Sequence, residues 1–442
     1  MIVIELLFMM TGAVVVGLLA MLAVSSVSEK KLRAAFIGTV LLFVFAAGWF
    51  GVYFWRSLPF VCMASSVGLV WILAALFFLP LGKRRMLKVG EIISKVDERD
   101  TAFAREEYLE GTDQNRQYYA AHPELKDIDD KIRALPPLLE EGGRYYNAAV
   151  SKEIKSIFNL IKSMTTRVDG DVNPARKPVE AEAITASVKR MMRILGADEV
   201  GVAKLNPMFV YSHVGRGPEP WGQETENNHK FVIAFTVEMD YERVETAPCL
   251  PTVLESAEKY LEAAQISVAV ARYIRALGYP ARAHISDSNY QIMLPPVARD
   301  AGLGELGRHG YLISPKFGSR IRLGAVTTDL PLVSDRPISF GVRDFCDKCL
   351  KCAVNCPPAA IEKGTTTDVR GAHKWPLEIM KCLHYWRVAG TDCGLCMKVC
   401  PFSHPSTLVH NLVRAGIKRS AFARTVSVWG DDLLYGRRHM PG

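Results

Sequence analysis

Cys346-Asp347-Lys348-Cys349-Leu350-Lys351-Cys352-Ala353-Val354-Asn355-Cys356-Pro357, followed by Cys382 and then by Cys393-Gly394-Leu395-Cys396-Met397-Lys398-Val399-Cys400-Pro401, holds eight of the chain's ten cysteines. The first run reads C-x2-C-x2-C-x3-C-P and the second C-x10-C-x2-C-x3-C-P. Four thiolates hold a [4Fe–4S] cube, and in two-cluster ferredoxins the fourth cysteine of each run ligates the other run's cluster. By that rule one cluster takes Cys346, Cys349, Cys352 and Cys400, and the other takes Cys382, Cys393, Cys396 and Cys356. C-x2-C pairs also bind zinc, but three cysteines at successive x2 spacings and a Cys-Pro ending to each run argue against it. Disulfides fit worse, because tetrads this tight suit metal and a reducing compartment keeps thiols free. Cys62 and Cys249 belong to neither set, and Cys62, in an apolar span, reads as an ordinary small buried side chain. Two clusters imply that single electrons are delivered to a reaction elsewhere in the chain.

Upstream of the cysteines the pattern alternates between helix and strand. Ile184, Val188, Met191, Met192 and Leu195 fall on one helical face, with Gly196 where a C-terminal cap belongs. Val200–Leu205 and Phe231–Val237 read as strands, Thr252–Leu277 as a long helix stopped by Gly278, and Ala281–Ile285 and Ile321–Thr327 as further strands. This predicts an α/β layered domain with a core of its own. Between the last two strands runs Ala301-Gly302-Leu303-Gly304-Glu305-Leu306-Gly307-Arg308-His309-Gly310. Glycines there allow close backbone approach to a ligand; the loop does not follow a strand in a βαβ unit, so it is not a dinucleotide fingerprint. Residues 86–180 are charged and broken by prolines and glycines, and read as a wrapping segment without a separate core.

The apolar residues are concentrated at the N-terminus. Ile2–Val24, Ala34–Trp55 and Pro59–Leu81 each suffice, at roughly 1.5 Å per residue, to cross a hydrocarbon layer about 30 Å thick. Glu5 is the one charge inside them. No basic segment precedes the first stretch, and three such spans in a row argue against a cleaved signal peptide followed by buried helices. Lys30, Lys31 and Arg33 in the first loop, and Lys83, Arg84, Arg85 and Lys88 after the third stretch, lie on one side of a three-helix hairpin, which the positive-inside rule makes cytoplasmic. The net charge of +8 is partly this juxtamembrane cluster, suited to anionic headgroups; without a binding motif or a long basic block, no nucleic-acid partner is expected. The expected organisation is a membrane anchor over 1–85, a charged segment over 86–180, an α/β domain over 181–340, a ferredoxin-like domain over 341–405, and a tail over 406–442 that packs on the core.

From about residue 97 onward the chain resembles the corrinoid-dependent reductive dehalogenases. The residues that carry the resemblance are Asp97-Glu98-Arg99-Asp100-Thr101-Ala102-Phe103-Ala104-Arg105, Tyr118-Tyr119 with His122-Pro123-Glu124-Leu125, Ala301-Gly302-Leu303-Gly304-Glu305, Ser314-Pro315-Lys316-Phe317-Gly318, Thr328-Asp329-Leu330-Pro331-Leu332, both cysteine sets, Pro401-Phe402 and Tyr435-Gly436-Arg437. The resemblance implies a nitroreductase-like α/β domain holding base-off cobalamin, joined to a ferredoxin-like two-[4Fe–4S] domain. The clusters would reduce cobalt to Co(I), and an organohalide would exchange its halogen for hydrogen. On this resemblance Gly302, Gly304 and Arg308 become expected cofactor contacts. The family's proton donor, a tyrosine early in the helix before a G-Y-P-A turn, matches Tyr260, ahead of Gly278-Tyr279-Pro280-Ala281; an ordinary phenol is protonated at neutral pH and can donate. A basic residue just after the S-P-K-x-G segment would steady the phenolate, which points to Arg320, with Arg322 as its rival because alternate residues of a strand share a face. Those relatives usually carry a twin-arginine export signal and associate with a separate small anchor, whereas this chain carries its own three helices. A catalytic part on the cytoplasmic side of the inner membrane is therefore expected, fed by the quinone pool or a membrane oxidoreductase. Two other readings stay open. One is a corrinoid reductase of the epoxyqueuosine reductase type, whose acid would fall on Asp287; the other is an electron-transfer subunit with no substrate.

Overall fold

Phe231–Glu238 and Ile321–Thr328 are buried at nearly every position and form the centre of a four-stranded sheet. Its order is Glu199–Lys204, Phe231–Glu238, Ile321–Thr328, Ala281–His284, and every neighbouring pair is antiparallel. Antiparallel strands usually alternate apolar and polar residues; these do not, because both faces are covered. Ile233, Phe235, Val237 and Val326 point into one core with the long helix Leu250–Ala276. Val232, Ala234 and Ala325 point into a second, with the Leu294–Asp300 helix. The elements expected from periodicity fall within one to three residues of these boundaries. The helix Ala181–Ile194 ends where Gly196 adopts φ +112°.

The computed structural model describes residues 2–54, 60–82, 94–286 and 290–438. These divide into two units, one of Met1–Met86, Ser339–Lys351 and His404–Gly442, the other of Leu87–Ile338 and Cys352–Ser403. The second unit contains the sheet. Its N-terminal segment folds into helices Ala102–Glu107, Asp113–Ala121, Pro123–Arg133 and Ala148–Ser163. The hydroxyls of Thr101 and Thr112 cap the first two by accepting backbone N–H groups. Small apolar clusters hold this segment: one of Ala104, Tyr108, Tyr118 and Tyr119, another joining Ile154 to Leu250 and Val253, and another joining Ala102 and Ile132 to Leu383. A buried Arg105–Asp129 pair makes two hydrogen bonds of 2.8 and 2.7 Å.

In the first unit Ile2–Ser28, Leu32–Phe54 and Phe60–Phe78 are three helices long and apolar enough to span a membrane. The first two meet where Gly12 leaves room for Trp49: a Cβ there would lie 2.2 Å from the indole nitrogen. That nitrogen donates to the Phe8 carbonyl at 3.1 Å, so a polar group is satisfied inside an apolar contact. The same unit holds the Val342–Cys349 helix and the C-terminal helices Leu408–Arg419 and Ala421–Tyr435.

Candidate active site

Tyr260 lies on the Leu250–Ala276 helix, half-buried, and packs against the core that the helix shares with the sheet. Arg322 projects from the adjoining strand, its guanidinium carbon 4.9 Å from the centre of the Tyr260 ring. One turn before Tyr260, Ser256 accepts from Arg322 Nη2 at 2.5 Å and donates to Asp392 Oδ2 at 2.9 Å; Arg322 Nη2 also reaches Asp392 Oδ2 at 3.2 Å. The i, i+4 spacing of Ser256 and Tyr260 puts both on one helical face, so a single arginine engages them together. Burial opposes the charge on Arg322, but Tyr260, Asp392, Tyr311 and Tyr290 around it more than offset this and hold it above its ordinary pKa, as a cation. Burial raises the carboxyl of Asp392, with Arg322 and Ser256 opposing. Burial and the neighbouring Tyr260 push the Tyr290 phenol up.

Arg320 lies elsewhere. Its Nε donates to the Ser403 carbonyl at 2.6 Å, Nη1 to the Met239 carbonyl, and Nη2 to Glu238 at 3.1 Å. It is 2% exposed and all three of its arms are taken by protein, whereas Arg322 is the arginine beside Tyr260. Asp287 lies outside the described residues.

The glycine-rich loop is committed to protein contacts at the positions singled out from the sequence. A Cβ at Gly304 would stand 2.2 Å from the Ile313 carbonyl oxygen, and one at Gly302, where φ is +78°, 2.6 Å from that of Arg336. Arg308 donates to the carbonyls of Glu362 and Gly364 at 2.7 and 2.9 Å and lies over the Trp375 ring. The next residue behaves differently. His309 Nδ1 accepts from the Tyr311 backbone at 3.1 Å, which puts the proton on Nε2. That N–H is buried with no acceptor among the described residues, as is Nε of Arg322. Burial lowers the His309 imidazole to about 4, so the ring stays neutral. Burial pushes the Tyr311 phenol well up. Buried donors with no acceptor among the described residues fit a ring fringed with amide carbonyls, as a corrinoid is.

The thiols of the second unit gather near Tyr311. Burial, with neighbouring thiols adding to it, pushes Cys382 up to about 11, Cys393 up to about 12 and Cys396 well above the ordinary value, and Cys356 is among the neighbours of all three. Four thiolates cannot share a buried site without cations between them, and iron supplies those cations; the donor set fits a cluster. The Ala360 N–H donates to Cys356 Sγ at 3.3 Å. Tyr311 feels Cys396 and Cys382 on one side and Arg322 and Asp392 on the other, so the thiol set and Tyr260 flank the same few residues. In the first unit, Cys346 and Cys349 sit one turn apart on the Val342–Cys349 helix, which Leu350 ends at φ +59°. Sequence reasoning missed Ser256, Tyr290, Tyr311, His309 and Asp392. Only Asp392 carried a signal, being an acid directly beside Cys393 in a set of thiolates.

Residues 345–404 match the family described as the 4Fe-4S dicluster domain. The tetrachloroethene reductive dehalogenase of Sulfurospirillum multivorans is 34% identical over 296 residues, which cover 59% of this chain and 58% of that protein. The enzyme of the same name from Dehalobacter restrictus is 33% identical over 280 residues, covering 53% of this chain and 50% of that one. Epoxyqueuosine reductase of a Synechococcus species matches over 112 residues at 37% identity, 24% of this chain and 33% of that protein. Among solved structures, a reductive dehalogenase described as suggesting a mechanism for B12-dependent dehalogenation superposes with a TM-score of 0.65 at 25% identity, over 81% of this chain and 49% of the other. The catabolic reductive dehalogenase NpRdhA in complex with 3-bromo-4-hydroxybenzoic acid shares the fold, with a TM-score of 0.66 at 24% identity over 82% of this chain and 50% of that one. This chain therefore spans about half the length of the relatives it matches. Over the matched part it is similar to the reductive dehalogenases in sequence and in fold.

Proposed function

We propose that this chain is a membrane-anchored reductive dehalogenase that replaces a carbon-bound halogen of a small organohalide by hydrogen, with base-off cobalamin and two [4Fe–4S] clusters as cofactors. The observation that carries this reading is the guanidinium of Arg322 set 4.9 Å from the ring centre of Tyr260, in the unit that also gathers four thiols. The relationship to the dehalogenases supports it. The balance is R–X plus two electrons and one proton to R–H plus X⁻. Cobalamin, when bound, supplies the strongly reducing cobalt that this exchange requires. Tyr260 would hold the proton on its phenol oxygen and release it to the carbon that loses halide. Arg322, kept cationic and held by Ser256 and Asp392, would stabilise the phenolate and favour its reprotonation. His309 Nε2–H and Arg322 Nε–H are the donors available to the cofactor's edge, ahead of Gly302, Gly304 and Arg308, whose side-chain positions are filled by protein. Cys382, Cys393, Cys396 and Cys356 would hold the nearer cluster; Cys346, Cys349, Cys352 and Cys400 would hold the other by the spacing rule. The basic residues around the apolar helices favour a catalytic part on the cytoplasmic side, and a donor drawn from the quinone pool or a membrane oxidoreductase fits that position.

The test is anaerobic reconstitution with corrinoid, iron and sulfide, followed by halide release over a panel of aryl and alkyl halides. Tyr260→Phe is expected to lower turnover by about 10²–10⁴-fold, the range for losing a positioned proton donor, with cobalt and iron content unchanged. Full activity in Tyr260→Phe together with its loss in Asp287→Asn would move the acid to Asp287 and the reading to the epoxyqueuosine reductase type. Iron and sulfide without bound cobalt would instead make the chain an electron carrier.

A further inference from the structure

The C-terminal helix Ala421–Tyr435 has two contrasting faces. Ala423, Arg424, Val428 and Asp431 are buried. On that side Arg424 Nε stands 3.7 Å from Asp344, Asp431 pairs with Lys351, and Thr425 accepts from Lys348. This side of the helix thus clasps the Val342–Cys349 helix and Lys351 beyond it, and with them Cys346 and Cys349. The opposite face presents Phe422, Val426, Trp429 and Leu433, exposed by 36, 39, 74 and 52%. At 100° per residue these i, i+4, i+7 and i+11 positions fall within an arc of about 60°. A continuous stripe of four large apolar side chains marks an interaction surface rather than a solvated one.

What lies at the two ends of the helix identifies the surface that covers it. At its start Ser420 Oγ donates to the Leu76 carbonyl at 2.6 Å and the Ala421 N–H to the Leu81 carbonyl at 2.8 Å. Both acceptors lie at the close of the third apolar helix. Towards its other end the Leu433 carbonyl accepts from Arg33 Nε at 3.0 Å, at the beginning of the second apolar helix. The close of the third and the beginning of the second emerge on the same side of a three-pass hairpin. A helix of 15 residues, about 22 Å long, is therefore pinned at both ends to one membrane boundary and lies across the apolar helices. The preceding helix meets the same boundary, since Gly416 leaves room for the ring of Phe77. Lys418, Arg419 and Arg437 flank the stripe, and Lys30 and Lys31 stand in the turn beside Arg33. An apolar face with a tryptophan, edged by cations, is the make-up of a helix that lies in an anionic headgroup layer.

We propose that Ala421–Tyr435 is an interfacial helix whose Phe422–Val426–Trp429–Leu433 face sinks into the headgroup–acyl boundary of the bilayer that the three N-terminal helices span. This is a second membrane contact. It seats the helix bearing Cys346 and Cys349 about one helix diameter, roughly 10 Å, from the lipid surface. The test uses the full chain in nanodiscs of three parts phosphatidylcholine to one part phosphatidylglycerol. Subtracting the emission of Trp429→Phe from that of the parent isolates Trp429 from the other six of the seven tryptophans. Lipid carrying a spin label near the headgroup is expected to quench the Trp429 signal several-fold more than aqueous iodide does. Val426→Glu, which puts a charge into the stripe, is expected to shift that emission to the red and raise its quenching by iodide. Quenching by iodide alone, showing a solvated face, overturns the proposal. So does protection from both quenchers, which would mean that protein covers the stripe.

Discussion

Arg320 and Arg322 are separated by one residue, and a rule of strand alternation treats them alike. Their neighbours do not. Arg320 spends its three arms on the Ser403 and Met239 carbonyls and Glu238, while Arg322 reaches Ser256, Asp392 and the Tyr260 ring. Arg320→Gln leaves two buried carbonyls without donors, at a cost of about 1–3 kcal/mol each, and is expected to show first as a lower melting temperature. Arg322→Gln removes a cation aimed at the group that changes charge, and is expected to lower turnover by about 10²–10³-fold, as the loss of one electrostatic stabiliser does. Halide release and melting temperature measured on both variants separate the roles; if Arg320→Gln abolished turnover at an unchanged melting temperature, the assignment of the phenolate's partner would be reversed. The choice between the two arginines was not legible in the chain, because it depends on Asp392, some seventy residues downstream.

At the scale of elements, the glycine-rich loop was legible as a special place, and the tertiary structure adds a packing reason for its glycines. Gly304 is small because the Ile313 carbonyl occupies the space a side chain would take, and the two-stranded turn Glu305–Leu306 with Leu312–Ile313 closes over it. Gly304→Ala forces that backbone apart and is expected to destabilise the protein by about 1–3 kcal/mol, as overpacking does, visible in thermal unfolding of the protein before any cofactor is added. A loss seen only after corrinoid is bound would instead make Gly304 a cofactor contact. The helices and strands were better signposted. The apolar face ending at Gly196, the long helix ending before Gly278 and the apolar strands all carry their own periodicity and stop signals. The antiparallel order of the sheet does not, since both faces of each central strand are buried and the alternation that announces an antiparallel sheet is erased.

At the scale of the whole molecule, the segment Cys352–Ser403 is expected to depend on its thiols. Its own apolar cluster contains only Cys352, Ala353 and Ile361 as fully buried members, with Cys356, Leu377, Cys396 and Val399 partly buried around them. So small a core is expected to need metal to stay ordered. Anaerobic chelation of iron should raise hydrogen exchange in 352–403 while leaving the sheet and the Leu250–Ala276 helix protected. Equal protection with and without iron would show that the thiols hold no structural cluster.

The order of the residues along the chain determined whatever is local: eight cysteines at ligand spacing, three apolar spans, a helix carrying Tyr260, and the strands beside it. Spacing and periodicity are properties of neighbours, so a linear reading captures them. Folding alone decided which arginine meets Tyr260, which of the loop's side chains keeps a donor without an acceptor among the described residues, and that the last helix turns a stripe of apolar residues outward between the ends of two apolar helices. Each of these depends on groups that are hundreds of residues apart in some cases and only dozens in others, brought together by burial of the sheet's two faces and by the apolar helices, and no local pattern encodes such a meeting.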